Sequence, residues 1–505
     1  MENKNDKAWL SESVYTDTQR CIKSTFLSLH EPELKINTGF SASHTFQIVE
    51  KTARTLYPNG IDVMEEEYIN FNHFVYYTKH LLDKGNKTIY QACFQSEFKR
   101  CKVDILIQHN EKKWTIINVV SRTKVEDTDI LRLGFISKTI QELYPKISLE
   151  AKVIYLNSNY VRENELDLQK LFNSEDISRR INLVQPIVDR FIRSAIKMYN
   201  ATKPPNIGIG TYCQKPFPCP FQHICWKDIP EYSVFDLSHV WLTRQFQFYQ
   251  QGIVKLEDIP RTAKLSENQW MQIDCELQKI IVTNLPAIDK FMEELEYPIS
   301  HMDFETFQPA IPLFPGTSPY DQIPFQFSVH TEYSNGDVIH HEFLHNGKSD
   351  PRLLFLQKLL TVVGAEGTIL CYNHRFETAR LKELAMYYPE YGADIMRIID
   401  RIKDLMYPFE KRFLYHPEQK GSVSLKVVLP AWAPDLNYKG LSIGNGVAAS
   451  AEYEKLGQSF TSAKEKAKIR KDLLEYCKMD TYAMVRLLKV LKSLIQKEEL
   501  VKIKS

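Results

Sequence analysis

The chain has 505 residues, room for two or three domains, and 43% of them are hydrophobic, enough for sizeable cores. Lys and Arg total 64 against 63 Asp and Glu, a formal net charge of +1, which excludes a globally basic nucleic-acid binder and leaves any such surface to a local patch. The opening MENKNDKAWL carries charges and no apolar h-region, and no run approaches the length of a membrane span, so a cytoplasmic protein without membrane contact is expected.

In chain order, Cys21 stands first, in SVYTDTQRCIKSTFLSLH. CKVDILIQ then alternates as a strand does and carries Asp104. The next strand, KKWTIINVVSRTKV, contains Asn118-Val119-Val120-Ser121, and the helix after it offers Ser137. IGIGTYCQKPFPCPFQHICW spaces Cys213, Cys219 and Cys225 as C-x5-C-x5-C. Without a secretory signal such cysteines read as thiols or ligands rather than disulfides. Three thiolates need a fourth to close a four-ligand site, and Cys21 is the best candidate despite its distance. Cys93, Cys101, Cys275, Cys371 and Cys477 sit in apolar or helical contexts and read as buried thiols.

One early cysteine followed by a late group of three resembles the iron–sulfur RecB-like nucleases, whose domain has the PD-(D/E)XK, restriction-endonuclease-like fold. The resemblance implies that Cys21, Cys213, Cys219 and Cys225 hold a [4Fe–4S] cluster, with zinc as the alternative occupant. The family spacing is C-x2-C-x5-C, so the first interval departs. The resemblance also implies a catalytic Asp and, on the next strand, Glu-x-Lys. Asp104 fits the first, but Asn118 and Val120 stand where Glu and Lys belong, and Ser137 lies near the place of a helical Gln. Asn is a poor ligand for a hard cation, and Val cannot stabilise a developing negative charge. Residues 1–226 therefore read as a degenerate nuclease module kept for structure or for binding nucleic acid. A shifted alignment that recruits Lys124 or Glu126 is the rival reading.

Residues 227–295 read as a helical connector. LTRQFQFYQQGIVKLEDIPRTAKLSENQWMQI gives a helix, a break at Gly252, a short helix from Leu256-Glu257-Asp258 and then another. A spacer and a nucleic-acid contact are equally open.

Residues 296–505 open on HMDFETF, where Asp303 and Glu305 at i and i+2 of a strand project from one face. PFQFSVHTEY alternates Phe325, Phe327 and Val329 with Gln326, Ser328 and His330, the pattern of a half-buried strand. Asn335-Gly336 reads as a hairpin turn into VIHHEFLH. The helical DPRLLFLQKLLTVV and a strand at Ile369 complete a β-β-β-α-β order, followed by Asn373 and Phe376-Glu377. GSVSLKVVLP lies further on. RKDLLEYCKMDTYAMVRLLKVLKSLI is a helix whose apolar stripe runs through Leu473, Cys477, Met484, Leu487, Leu488 and Leu491. Tyr476 and Asp480 share one of its faces, and a buried acid there needs a partner. His301, His340, His341 and His345 read as surface or hydrogen-bonding histidines rather than a metal cluster.

Asp303-Phe304-Glu305, Asn373-x-x-Phe376-Glu377 and Tyr476-x-x-x-Asp480 resemble the three motifs of the DnaQ-like (DEDD) 3′–5′ exonucleases, tyrosine variant, which have the ribonuclease-H-like fold. The resemblance implies that Asp303, Glu305, Glu377 and Asp480 bind two Mg²⁺ or Mn²⁺ ions and that Tyr476 orients or deprotonates the attacking water. Glu377 stands where most members carry Asp, one methylene shorter. DFET, DPRLLFLQKLL, YNHRFE, GSVSLKVVLP and the cysteine pattern together resemble the domain-of-unknown-function family 2779, which brings no established substrate. The expectation is an α/β multidomain protein: a PD-(D/E)XK module, a connector and a ribonuclease-H-like domain. Its expected activity is metal-dependent 3′–5′ hydrolysis of DNA or RNA, with the amino-terminal module as a clamp. The competing expectation is a non-catalytic nucleic-acid-binding or scaffold protein.

Overall fold

The computed structural model describes residues 9–36, 42–65 and 70–504. The chain forms two units, one of Met1–Asp228 with Pro309–Tyr320 and one of Ile229–Gln308 with Asp321–Ser505. The connector expected over 227–295 lies in the second unit except for residues 227–228. Among the described residues no helix is long and apolar enough to cross a membrane.

The first unit is built on six strands in sequence order, β1 (Ile61–Asp62), β2 (Thr88–Gln95), β3 (Arg100–Asn110), β4 (Lys113–Val119), β5 (Ser148–Leu156) and β6 (Phe172–Asp176). β2, β3 and β4 run antiparallel, whereas β4 and β5 are parallel. A parallel pair needs a crossover, and helix α2 (Asp127–Leu143) supplies it after α1 (Glu12–Arg20). Asp129 starts α2 by accepting the Glu126 backbone N–H at 2.9 Å, half of a capping box. Together with α3 (Ser178–Tyr199), these helices bury Tyr15, Phe135, Ile116 and Val188 in one core.

A smaller core holds Val49, Ile105, Ile117 and Ile154, and it takes in Ala310 and Ile311 from the Pro309–Tyr320 segment. That segment pairs through Arg162 N–H to Thr317 O at 2.9 Å and through the Tyr320 hydroxyl to the Ser121 carbonyl. Nothing in its proline-rich sequence foretold this packing.

The second unit contains a five-stranded sheet. β7 (Ile299–Phe307) pairs antiparallel with β8 (Ile323–Glu332) and parallel with β10 (Ile369–Cys371). β9 (Val338–Leu344) lies outside β8, and β11 (Ile402–Asp404) lies outside β10, giving the order β9-β8-β7-β10-β11. Asn335 and Gly336 occupy the β8–β9 connection, with Gly336 at φ 90°. Helix α4 (Arg352–Val363) packs Phe355 and Leu359 against Met302 and Phe304 of β7, and α5 (Arg375–Tyr387) follows β10. The other elements used below are α6 (Leu425–Trp432), α7 (Gly446–Gly457) and the long α8 (Ala463–Lys504).

β8 departs from its expected half-burial: residues 323–331 are buried on both faces. The reason is α8, which covers the polar face and satisfies it. Gln326 donates to the Leu473 carbonyl at 2.8 Å, while Ser328 and His330 meet the Thr481 hydroxyl at 2.7 and 2.8 Å. Of the four histidines, His341 is exposed and His340 half-buried against Ser328, as expected, while His301 and His345 are buried. His301 is fully buried beside Glu332, and His345 bonds the Tyr453 hydroxyl.

Candidate functional site

Four acidic side chains from three elements converge in the second unit. Asp303 and Glu305 leave one face of β7, because Met302 and Phe304 occupy the other. The β7–β8 register shifts between Glu305 and Thr306, an irregularity of the kind that re-aims side chains near functional sites. Asp480 comes from α8. Ligand oxygens of Asp303, Glu305 and Asp480 lie within 4.8 Å of one another. Glu377, in the first turn of α5, is not one of that trio, yet it is buried and its charge is felt at both Asp303 and Glu305. Its Oε2 has no hydrogen-bond partner.

Such crowding makes ionisation costly. Burial, then the charges of Asp480, Glu305 and Glu377, hold Asp303 well above the carboxylate range. Burial and Asp480 push Glu305 up to about 8, and burial chiefly does the same at Glu377, also to about 8. Asp480 rises only to about 6 because hydrogen bonds from Tyr438 and Tyr476 and the charge of Lys426 oppose its burial. The protein's own cations here are few: Lys426 acts at Glu305 and Asp480, while Arg380 acts at Glu377 but is already bonded to Glu383. Several buried carboxylates with an orphaned acceptor and little internal compensation suit hard divalent cations.

Three partners of this cluster escaped the sequence reading. The Tyr438 hydroxyl donates to Asp480 Oδ1 at 2.6 Å. Lys426 Nζ donates to the Tyr476 hydroxyl at 3.0 Å and to the Gly444 carbonyl at 2.5 Å. Asp404 lies near enough to raise Glu377 further, but it is occupied by the Asn373 N–H at 2.9 Å and His374 Nδ1 at 3.0 Å. Lys426 is the lysine of GSVSLK, a segment marked in the sequence without a role. A cleft of about 470 Å³ opens beside Glu305, walled by Phe376, Gln308, Gln322, Asn445 and Val447. That is within the range of a small-ligand site.

The amino-terminal carboxylate is arranged differently. Asp104 on β3 is buried and accepts the Val119 N–H at 2.9 Å. Arg132 of α2 reaches the same place: its guanidinium stands 3.6 Å from Asp104, bonds the Asn118 side chain, and pairs with Glu12 of α1 at 2.5 Å. A covalently attached cation thus lies where Asp104 and Asn118 meet. Burial works against the Arg132 charge, but Glu12 and Asp104 outweigh it and raise its pKa. Glu126 is used as the α2 cap and is 3.6 Å from Arg122. Ser137 is buried on α2.

Cys21, Cys213, Cys219 and Cys225 line one small cavity. Cys21 stands between α1 and the helix Ile22–His30, Cys213 ends a 3-10 turn, and the Cys219 N–H bonds the Cys213 carbonyl at 2.8 Å. Burial raises the Cys213 and Cys225 thiols, and each is influenced by the charges of Cys219 and Cys21. All are free thiols, and the C-x5-C spacing does not keep them apart. Among the described residues, the acidic trio is the group of three or more ligands within 4.8 Å, so no three of these sulfurs are that close. The other five cysteines are buried, as expected.

Residues 300–424, which span the first two acidic segments, match the model of a domain of unknown function, DUF2779. The chain is 28% identical over 235 residues to the uncharacterized protein UU173 of Ureaplasma parvum serovar 3, covering 42% of this chain and 34% of that protein. It is 23% identical over 218 residues to the uncharacterized protein MG366 of Mycoplasma genitalium, covering 40% and 33% respectively. The chain therefore spans about a third of the length of these curated relatives. Among solved structures, the crystal structure of SSO0001 aligns over 45% of this chain and 90% of that one, at 13% identity and a TM-score of 0.26. A likeness that low carries no argument here.

Proposed function

We propose that the second unit is a metal-dependent 3′–5′ exonuclease of ribonuclease-H-like fold. The observation that carries this reading is the approach of Asp303, Glu305 and Asp480 oxygens to within 4.8 Å of one another in a buried, charge-deficient pocket, with Glu377 beside them. The sheet order β9-β8-β7-β10-β11, with β7 central and carrying the first two acids, supports the fold.

Two divalent ions, when bound, supply an activated water and charge stabilisation at the scissile phosphate. The carboxylates of Asp303, Glu305, Glu377 and Asp480 would hold them. The protein's own groups do the rest. Tyr438 fixes the rotamer of Asp480 through its 2.6 Å bond. Tyr476, bonded to Lys426, presents a phenol beside the same carboxylate, where it can orient a water. The cleft against Phe376 and Val447 offers apolar walls for a base, while the amides of Gln308, Gln322 and Asn445 offer polar edges.

For the first unit we propose a degenerate PD-(D/E)XK module that serves as a clamp. Arg132 between Asp104 and Asn118 supports this, since the position a catalytic cation would need is held by a guanidinium. The four cysteines would hold a [4Fe–4S] cluster. The four cysteines line one small cavity, which supports a shared four-thiolate site. Protein purified without oxygen is expected to be brown, and Cys219→Ser to be colourless and less stable. Stoichiometric zinc in a colourless wild type would replace the cluster in this reading.

The test of activity is digestion of 3′- and 5′-labelled single- and double-stranded DNA and RNA with Mg²⁺ or Mn²⁺. Stepwise loss from the 3′ end by wild type, absent in Asp303→Ala, is expected. No digestion of any strand would leave the non-catalytic scaffold as the better reading.

A further inference from the structure

The lysine between the second and third acidic segments has a place that local structure does not explain. Lys426 sits in the first turn of α6, where the helix dipole disfavours a cation. A residue set against local preference points to a tertiary role. Its ammonium is anchored by the Gly444 carbonyl at 2.5 Å, just before Asn445 caps α7, and it approaches the rings of Tyr476 and Tyr438 at 4.8 and 5.4 Å from their centroids. α6, the loop before α7 and α8 thus meet at one nitrogen.

The hydrogen-bond chemistry at Tyr476 is directional. An ammonium has three donors and no acceptor, so the phenol oxygen must accept from Lys426. A phenol O–H lies near the ring plane in one of two positions. With Lys426 on one side, the hydrogen is turned to the other, toward Asp480 and the acidic cluster. Tyr438 donates to the same aspartate, so two phenols are aimed at one carboxylate.

We propose that Lys426 is a positioning residue for hydrolysis: it fixes the direction of the Tyr476 hydroxyl, and thereby the place of the attacking water. This rests on the exonuclease reading above. Lys426 need not touch substrate for this role; it acts through Tyr476.

The test compares Lys426→Met, Lys426→Arg, Tyr476→Phe and the double variant Lys426→Met/Tyr476→Phe, with melting temperature and Mn²⁺ stoichiometry checked for each. Lys426→Met is expected to lower kcat by up to about tenfold, no more than Tyr476→Phe does, with KM little changed. Lys426→Arg should recover most of the loss. If Lys426 acts through Tyr476, the double variant should be no slower than Tyr476→Phe alone. Losses that multiply, or an unaffected Lys426→Met, would overturn the proposal.

A second readout needs no turnover. With 3-fluorotyrosine at position 476 of the metal-free protein, the fluorine resonance should move in Lys426→Met and stay near its wild-type position in Lys426→Arg. A resonance indifferent to Lys426→Met would overturn the proposal whether or not the protein hydrolyses anything. Absence of hydrolysis in wild type with the resonance shift intact would remove the exonuclease reading while sustaining the link between Lys426 and Tyr476.

Discussion

Both units set an aspartate on a central strand, Asp104 buried and Asp303 half-buried, and they meet the cost of doing so in opposite ways. Asp104 has a neighbouring guanidinium, Arg132, tied also to Asn118 and Glu12. Asp303 has Glu305, Glu377 and Asp480 for neighbours, and its principal hydrogen-bonding contact is the weak donor Cys477 at 3.6 Å. A buried charge must be paired, neutralised or supplied with an external ion. The first unit has been paired from within. The second has been left needing protons or cations from solution.

The largest effect that could break this contrast is on turnover. Asp303→Ala or Asp480→Ala should lower hydrolysis on the order of a thousandfold or more, whereas Asp104→Ala should change it by less than about twofold, as measured on labelled strands. Next comes stability. Arg132→Met leaves the buried Asp104 and the half-buried Glu12 without their cation, and it should cost about 3 kcal/mol in denaturant unfolding with hydrolysis retained below the transition. A stable Arg132→Met protein would mean that the guanidinium is incidental.

A third test uses pH. In the metal-free protein Glu305 and Glu377 ionise near pH 8 rather than near their ordinary value, so between about pH 4.5 and 8 the folded state binds more protons than the unfolded one. Stability should therefore fall as pH rises through that window, and Mg²⁺ should restore it at the upper end. Melting curves in chelator across this range, flat or rising, would contradict the account; Glu305→Gln with Glu377→Gln should flatten them. The smallest expected effect is Tyr476→Phe, about tenfold in kcat, since water remains held by other groups.

What could be read from sequence was what depends on short intervals. The i, i+2 pair Asp303 and Glu305 and the i, i+4 pair Tyr476 and Asp480 follow from strand and helix periods alone, and the cysteine spacing marked its own loop. The partners that define the chemistry were hidden because they come from elsewhere. Arg132 meets Glu12 across 120 residues, and Ser328 meets Thr481 across 153, so neither the internal cation nor the two-sided burial of β8 leaves a local signal. The packing of Ala310 and Ile311 into the first unit was hidden for the same reason. Lys426 did leave one: a lysine in the first turn of a short helix, inside a motif with no other evident purpose.

The central claim is that the second unit takes divalent ions and the first does not. Calorimetric titration of Mn²⁺ into the full chain tests it most directly. The account predicts binding of two ions by wild type, unchanged in Asp104→Ala and lost or halved in Asp303→Ala. Binding that survives Asp303→Ala intact, or that disappears with Asp104→Ala, would contradict it.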